Sequence, residues 1–256
     1  MNESGSIKWQ LAAVYSNYAF WVVFGVGFVG LAGFVPPPEP TAGAEAIASL
    51  FAGNAAVIRA GMCVSVLAAA LLLPWGAAIG AQLRRMEPEQ PWMAYTWITA
   101  NAILVILFIY PCLWWAVAAF RPGSNPEVIR SIDDMAWLGF MGIIPTALIQ
   151  CIVLAIATFR DNRPNPLFPR WYGYFQLWCC LLLTPDLVVY CFKTGPLAWN
   201  GLLAFWVEIF AAFAWNIVTT VITAKAIKNT SWLPPTGNRS LEERLAALER
   251  AQVATR

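Results

Sequence analysis

Histidine is absent from the 256 residues, and that one gap removes a large share of ordinary protein chemistry. Histidine-ligated zinc or copper, bis-histidine haem, a Ser-His-Asp triad and imidazole proton relays all need a side chain that this chain lacks. Charge is scarce too: 12% of residues are charged and 59% are hydrophobic, a balance that fits neither a soluble domain nor a disordered chain. No G-x-x-x-x-G-K-[ST] phosphate loop occurs, so ATP-driven chemistry is not expected here. The six cysteines form no C-x-x-C pair and fall in or beside apolar runs, as buried free thiols do. Neither a metal nor a cofactor is expected. A nucleic-acid role is excluded by the lack of a basic stripe or recognition motif.

What is present is long apolar runs. A helical span needs about 20 mainly apolar residues, and six stretches meet that need: 10–34, 60–82, 93–119, 136–158, 171–192 and 201–224. The runs are continuous, whereas a transmembrane barrel would show alternating segments of about ten residues. The expected fold is therefore an all-α integral membrane protein, a bundle of about six transmembrane helices. The first run is too long for a secretory signal and lacks a small-x-small cleavage site, so it is expected to be retained. Pro74, Pro111, Pro145 and Pro185 place one proline inside each of the second to fifth spans. Each removes a backbone hydrogen bond and predicts a kink.

Basic residues set the orientation. Of the 16 lysines and arginines, all but Arg59, Arg121, Arg130 and Lys193 fall on the side that carries the N- and C-termini, so both termini are expected in the cytoplasm and the bacterial inner (plasma) membrane is the expected location. The chain divides into a transmembrane domain, 1–228, and a cytoplasmic tail, 229–256. In the tail, Ser240 with Glu243 forms a capping box, and Leu241, Leu245 and Leu248 share one face of a short amphipathic helix. On the other side, VPPPEP begins the segment 35–59, which reads as an ordinary connector or, from the spacing of Ile47, Leu50, Phe51 and Val57, as a short amphipathic helix on the outer surface. Asp133 and Asp134, in the connector 120–135, are explained as helix-start carboxylates that favour the N-terminus of the fourth span at least as well as by ligand binding.

Two carboxylates lie inside spans. Asp186 is six residues before the outer end of the fifth span and Glu208 is eight residues into the sixth. At 1.5 Å per residue they lie roughly 9 Å and 12 Å below the same boundary. An ionisable group at that depth costs about 2.5–3.5 kcal/mol on insertion scales and normally faces a cavity or a partner. On an α-helical wheel Asp186 shares a stripe with Tyr172, Phe175, Cys179, Leu182, Tyr190 and Lys193. Glu208 shares one with small residues and Trp215, which suits an inward face. Further polar groups at membrane depth include Asn17, Asn101, Thr146, Gln150, Gln176 and Asn216. Trp21, Trp75, Trp178, Trp206 and Trp215 are the deep members of 14 tryptophans, while others mark the interfaces.

The candidate ligand-binding or proton-coupling residues are thus Asp186, Glu208, Tyr190, Lys193, Trp178, Trp206, Trp215, Asn101 and Gln150. They point to a polytopic membrane protein that binds or translocates a small apolar, amphipathic or cationic solute or lipid in an outward-facing pocket. Two alternatives use the same features: an enzyme acting on a lipid or isoprenoid by carboxyl acid–base chemistry, and a non-catalytic subunit of a larger membrane complex. Expected partners are membrane lipids, the small ligand, and a second copy or complex partner docking through Gly25, Gly27, Gly30 and Gly33 or through the tail helix. The glycines let another backbone come close.

Overall fold

The computed structural model describes residues 3–87 and 89–229 and contains no strand among them. Helix α1 (Glu3–Gly25) continues as a π-helical turn, Val26–Leu31; then follow α2 (Ala44–Ala69), α3 (Leu72–Met86), α4 (Trp92–Phe120), α5 (Pro126–Gly142), α6 (Pro145–Arg160) and α7 (Arg170–Leu183). A 3₁₀ segment (Thr184–Cys191), a second π turn (Leu202–Val207) and α8 (Glu208–Lys228) complete the chain's described part. Six helical stretches are long and apolar enough to cross a membrane: Ile7–Leu31, Ala44–Met86, Trp92–Phe120, Pro126–Arg160, Arg170–Cys191 and Leu202–Lys228. The protein is an all-helical, polytopic membrane protein. The tail helix expected around Ser240 and Glu243 lies outside the described residues, as does Trp232.

The second and fourth stretches are longer than the apolar runs alone indicate. Residues 44–59, expected as part of a separate connector, run on into α2, with one non-helical residue at Asn54. Likewise α5 begins at Pro126, where the Asn125 side chain caps it by accepting the Glu127 backbone N–H. Asp133 and Asp134 therefore sit about two turns inside a helix, and the helix-start role expected of them falls to Asn125 and Glu127.

Three of the four span prolines stand just past an interruption. A proline has no N–H to give the carbonyl four residues back, and its ring crowds that carbonyl. Ahead of Pro74 the helix breaks at residues 70–71; ahead of Pro145 it breaks at 143–144; Pro185 opens the 3₁₀ segment. Helix α4 runs unbroken through Pro111. In hydrocarbon the freed carbonyls must find donors inside the protein. At the first break the Ser16 hydroxyl donates to the Leu71 carbonyl at 2.7 Å and Asn101 Nδ2 donates to the Leu72 carbonyl at 3.1 Å. At the third, the Thr184 hydroxyl donates to the Cys180 carbonyl at 2.9 Å.

Glycine brings α2 against the first π turn. A Cβ on Gly27 would lie 2.6 Å from the Gly61 carbonyl oxygen, and one on Gly61 would lie 2.5 Å from the Gly27 oxygen. Gly27 is thus used within the chain, whereas Cβ atoms on Gly25 and Gly33 would meet nothing within 4 Å. Gly25 to Gly30 spell G-x-G-x-x-G, but this run follows a helix inside a membrane span. A dinucleotide fingerprint requires a preceding strand.

Asn17 contacts Asn216 and Thr220 while Trp21 contacts Phe213, so α1 and α8 run antiparallel and both ends of the described chain share one face of the bundle, the terminal face. The half nearer that face holds a ring cluster of Trp75, Trp97 and Trp215, with centroids 5.8–6.2 Å apart. Each indole N–H in it is donated: Trp75 to the Thr220 hydroxyl, Trp97 to the Gly76 carbonyl and Trp215 to Gln176 Oε1. Tyr172 donates to the Thr219 hydroxyl at 3.0 Å, and Asn17 to Thr220 at 3.0 Å. Aromatic bulk and these hydrogen bonds brace this half as a frame, although Asn17 Oδ1, Asn101 Oδ1 and Thr223 Oγ1 have no partner among the described residues.

Candidate functional site

In the other half the helices lose their regularity where the acids lie. The break at 143–144, the 3₁₀ segment and the second π turn meet around Asp186 and Glu208. Departures of this kind inside helices recur at functional sites.

Asp186 is set by the 3₁₀ geometry. With three residues per turn, Leu183, Asp186 and Val189 share a face, and each is only 1% exposed. Neither Asp186 carboxyl oxygen has a hydrogen-bond partner among the described residues. The Glu208 carboxyl lies within Coulomb range of it.

Glu208 stands where the second π turn passes into α8. The turn before it is tight: a Cβ on Gly201 would lie 2.5 Å from both the Gly195 and the Pro196 oxygens, and the Pro196 carbonyl accepts the Leu203 and Ala204 amides. Glu208 is half-buried and lines a cavity of about 260 Å³ between α1, α4 and α8. The walls are Trp21, Phe24, Phe28, Phe108, Phe140 and Phe213, with Trp206 beside Glu208. Trp21 and Phe213 meet edge to face at 5.1 Å, and Phe20, Phe24 and Phe108 interlock behind them at 4.9–5.3 Å. A smaller recess of about 40 Å³ continues from Glu208 toward Leu183, Ile144 and Trp215. Two polar groups lie on these walls without a satisfied bond: the Glu208 carboxyl, for which no hydrogen bond or ion pair is found, and the Trp21 indole N–H.

The remaining expected site residues are dispersed. Trp206 lines the main cavity and Trp215 the recess, but the Trp215 N–H is already committed to Gln176. Tyr190 is 57% exposed, its hydroxyl against Gly142, and Trp178 is 61% exposed on the outside of the bundle. Tyr190 and Lys193 were placed with Asp186 on α-helical spacing; the 3₁₀ turn after Leu183 rotates them off the buried face. Lys193 has Asp134 as its charged neighbour. Asn101 secures the break ahead of Pro74. Gln150 is fully buried with neither end of its amide bonded, and it lines none of the cavities described here.

Two further features lie outside the candidate site residues of the sequence. Asp133 is 2% exposed, accepts the Trp115 indole N–H at 2.9 Å and lines a cavity of about 90 Å³ under the proline-rich loop. At the terminal face a cleft of about 680 Å³ is lined by Arg85, Arg160, Arg163, Glu87 and Asp161. Burial works against the Asp161 charge, but Arg163 grips it through Nε at 2.7 Å and Nη2 at 3.1 Å and the Leu167 amide donates at 2.8 Å, so its pKa is held below the usual carboxylate value. Glu87 caps α4 by accepting the Met93 amide. The cleft's acids are therefore tied to structure, while Asp186 and Glu208 in the aromatic half are not.

No family model, curated protein or solved structure matches the chain.

Proposed function

We propose that this membrane protein binds, and through its interrupted helices translocates, a small amphipathic solute with an apolar body and a cationic or proton-donating head. The carrying observation is the single carboxylate, Glu208, on the wall of an otherwise aromatic cavity of about 260 Å³. Ligand pockets usually run from about 300 to 1,000 Å³, so a small solute is indicated. Its apolar part would replace water or lipid against Trp21, Phe24 and Phe108. Its head would meet Glu208 directly and Asp186 at longer range. A carboxylate at membrane depth with no internal partner carries a desolvation penalty that a cation or a shared proton offsets. Aromatic faces add about 0.5–2 kcal/mol for a desolvated cation.

The rim residues Val29, Phe210 and Phe213 are exposed on the outside of the bundle, which supports entry from the side, through the hydrocarbon. The concentration of basic residues at the terminal face supports a cytoplasmic location for both termini, and hence access to the acids from the non-cytoplasmic half of a plasma membrane. Helix breaks at one level in two neighbouring spans support movement about that level.

Native mass spectrometry of the full chain released from mild detergent tests the reading. A small molecule retained by the wild type, lost in Glu208→Gln and kept in Tyr190→Phe is the expected outcome. A chain that carries no small molecule, or a Glu208→Gln variant that retains it unchanged, contradicts it.

A further inference from the structure

We propose that Asp133 and the aromatic walls around it form a second site, one that takes a small organic ammonium ion and is separate from the Glu208 cavity. Asp133 is buried within the bundle and its carboxyl lines a cavity of about 90 Å³ together with Phe34, Phe51 and Trp137. Its one well-formed hydrogen bond comes from a neutral donor, the Trp115 indole, and the Trp137 indole, also neutral, faces it less closely. No cation pairs with it: the ion pairs among the described residues are Arg130 with Glu127 and Arg163 with Asp161. A buried carboxylate in that setting is short of a counter-charge.

The walls decide what kind of counter-charge fits. At about 30 Å³ per water the cavity has room for about three waters, but each needs two to four polar partners. Besides Asp133, the polar side-chain group on the walls is the Trp137 indole N–H, which is fully buried and has no partner. A hydrated metal ion would be equally short of oxygen ligands. An alkylammonium places its N–H groups on the carboxylate and its methyl groups against rings, where cation–π attraction is strongest over tryptophan.

The surroundings are built to hold that shape. Pro36 and Pro38 roof the cavity, and the Trp199 indole donates to the Pro38 carbonyl at 2.8 Å, tying the roof to the turn before the last span. Trp115 and Trp137 meet edge to face at 4.9 Å behind the carboxylate. Phe28 stacks on Phe140 at 5.2 Å, and both rings belong to the wall of the Glu208 cavity. Phe28 also meets Trp137 at 6.1 Å, so aromatic rings partition the two sites.

Saturation-transfer NMR of methylammonium chloride with the full-length protein in detergent tests the site, with sodium chloride as competitor. Expected are methylammonium saturation in the wild type and in Glu208→Gln, at least tenfold weaker binding in Asp133→Asn, and little competition from sodium. Equal binding by wild type and Asp133→Asn, no saturation in the wild type, or full displacement by equal sodium overturns the site. Loss in Glu208→Gln with retention in Asp133→Asn moves the ion to the main cavity and also overturns it. Should Asp133→Asn fail to fold, Phe51→Leu removes one ring without touching the carboxylate. Severalfold weaker methylammonium binding is then expected, and unchanged affinity overturns the proposal.

Discussion

The two halves of the bundle spend their polar groups differently. Near the terminal face the indoles of Trp75, Trp97 and Trp215 all donate, and Thr219 and Thr220 each receive two side-chain donors. In the other half the Trp21 and Trp137 indoles and both Asp186 oxygens have no partner, and cavities lie beside Glu208 and Asp133. Both halves are rich in aromatic rings, so hydrophobic bulk does not separate them. The contrast lies in the buried indoles and carboxyls: near the terminal face Asn17 Oδ1, Asn101 Oδ1 and Thr223 Oγ1 also lack partners among the described residues, but no buried indole or carboxyl there does, and an unbonded buried group calls for an explanation such as a ligand.

The contrast can be broken most sharply at the ring clusters. Trp75→Ala removes a fully buried indole and one of the two donors to the Thr220 hydroxyl, so a loss of about 3–5 kcal/mol is expected. Phe213→Ala, on a cavity wall already open on one side, should cost about 1–2 kcal/mol or less, because less packing is lost. Thermal unfolding of the two variants in the same detergent checks the difference; equal losses would erase the distinction between frame and site.

Removing polar groups sharpens it from the opposite direction. Thr220→Val strands the donors of Trp75 and Asn17 and should destabilise by about 1–3 kcal/mol. Asp186→Leu removes two unpartnered oxygens and should leave the fold equally stable or more stable by about 1 kcal/mol, while abolishing solute binding. Parallel unfolding curves decide this pair, and a strongly destabilised Asp186→Leu would show that the carboxyl is structural. Glu208→Gln keeps the size and removes the charge. Solute binding should weaken at least tenfold, about 1.4 kcal/mol, with little change in the unfolding curve.

The smallest expected effect lies at the terminal face. The lowered pKa of Asp161 means that its Arg163 contact stabilises the fold above the unfolded carboxyl pKa of about 3.9, and that this contribution is lost as pH falls through the lower folded value. Asp161→Asn should therefore cost about 1 kcal/mol at pH 7, discounted for the partial exposure of Arg163, and cost little below pH 3. Unfolding measured from pH 3 to pH 7 reads the sign; a variant equally destabilised at both ends would point to lost packing instead.

Much of the scaffold is legible in the chain. Six apolar runs give the six spans, because hydrocarbon admits a helix or a closed barrel and little else. That Asp186 and Glu208 fall inside spans is legible in the same way. What could not be read depends on two elements at once. The register after Leu183 changes from α to 3₁₀ where Pro185 interrupts the hydrogen-bond ladder, and one such change moves Tyr190 and Lys193 off the face assigned to them. Asn101 resembles a ligand contact until its partner is known to be the Leu72 carbonyl on another helix, beside the break ahead of Pro74. Asp133 resembles a helix-start residue in the sequence because α5 begins ten residues before the apolar run does. Asn125-Pro126 carries a signal for that start, an N-cap followed by proline at the first helical position. The cavity walls are phenylalanines from α1, α4 and α8 whose spacing is that of any packed membrane helix, so sequence alone does not single them out.

The most direct test of the central claim is an experimental density map of the protein extracted with its native membrane contents. The account predicts non-protein density between Trp21, Phe108 and Phe213 with its polar end at Glu208, and the Asp186 carboxyl pointing inward behind it. A collapsed cavity with Glu208 and Asp186 each bonded to protein groups, or with their carboxyls turned to lipid, would contradict it.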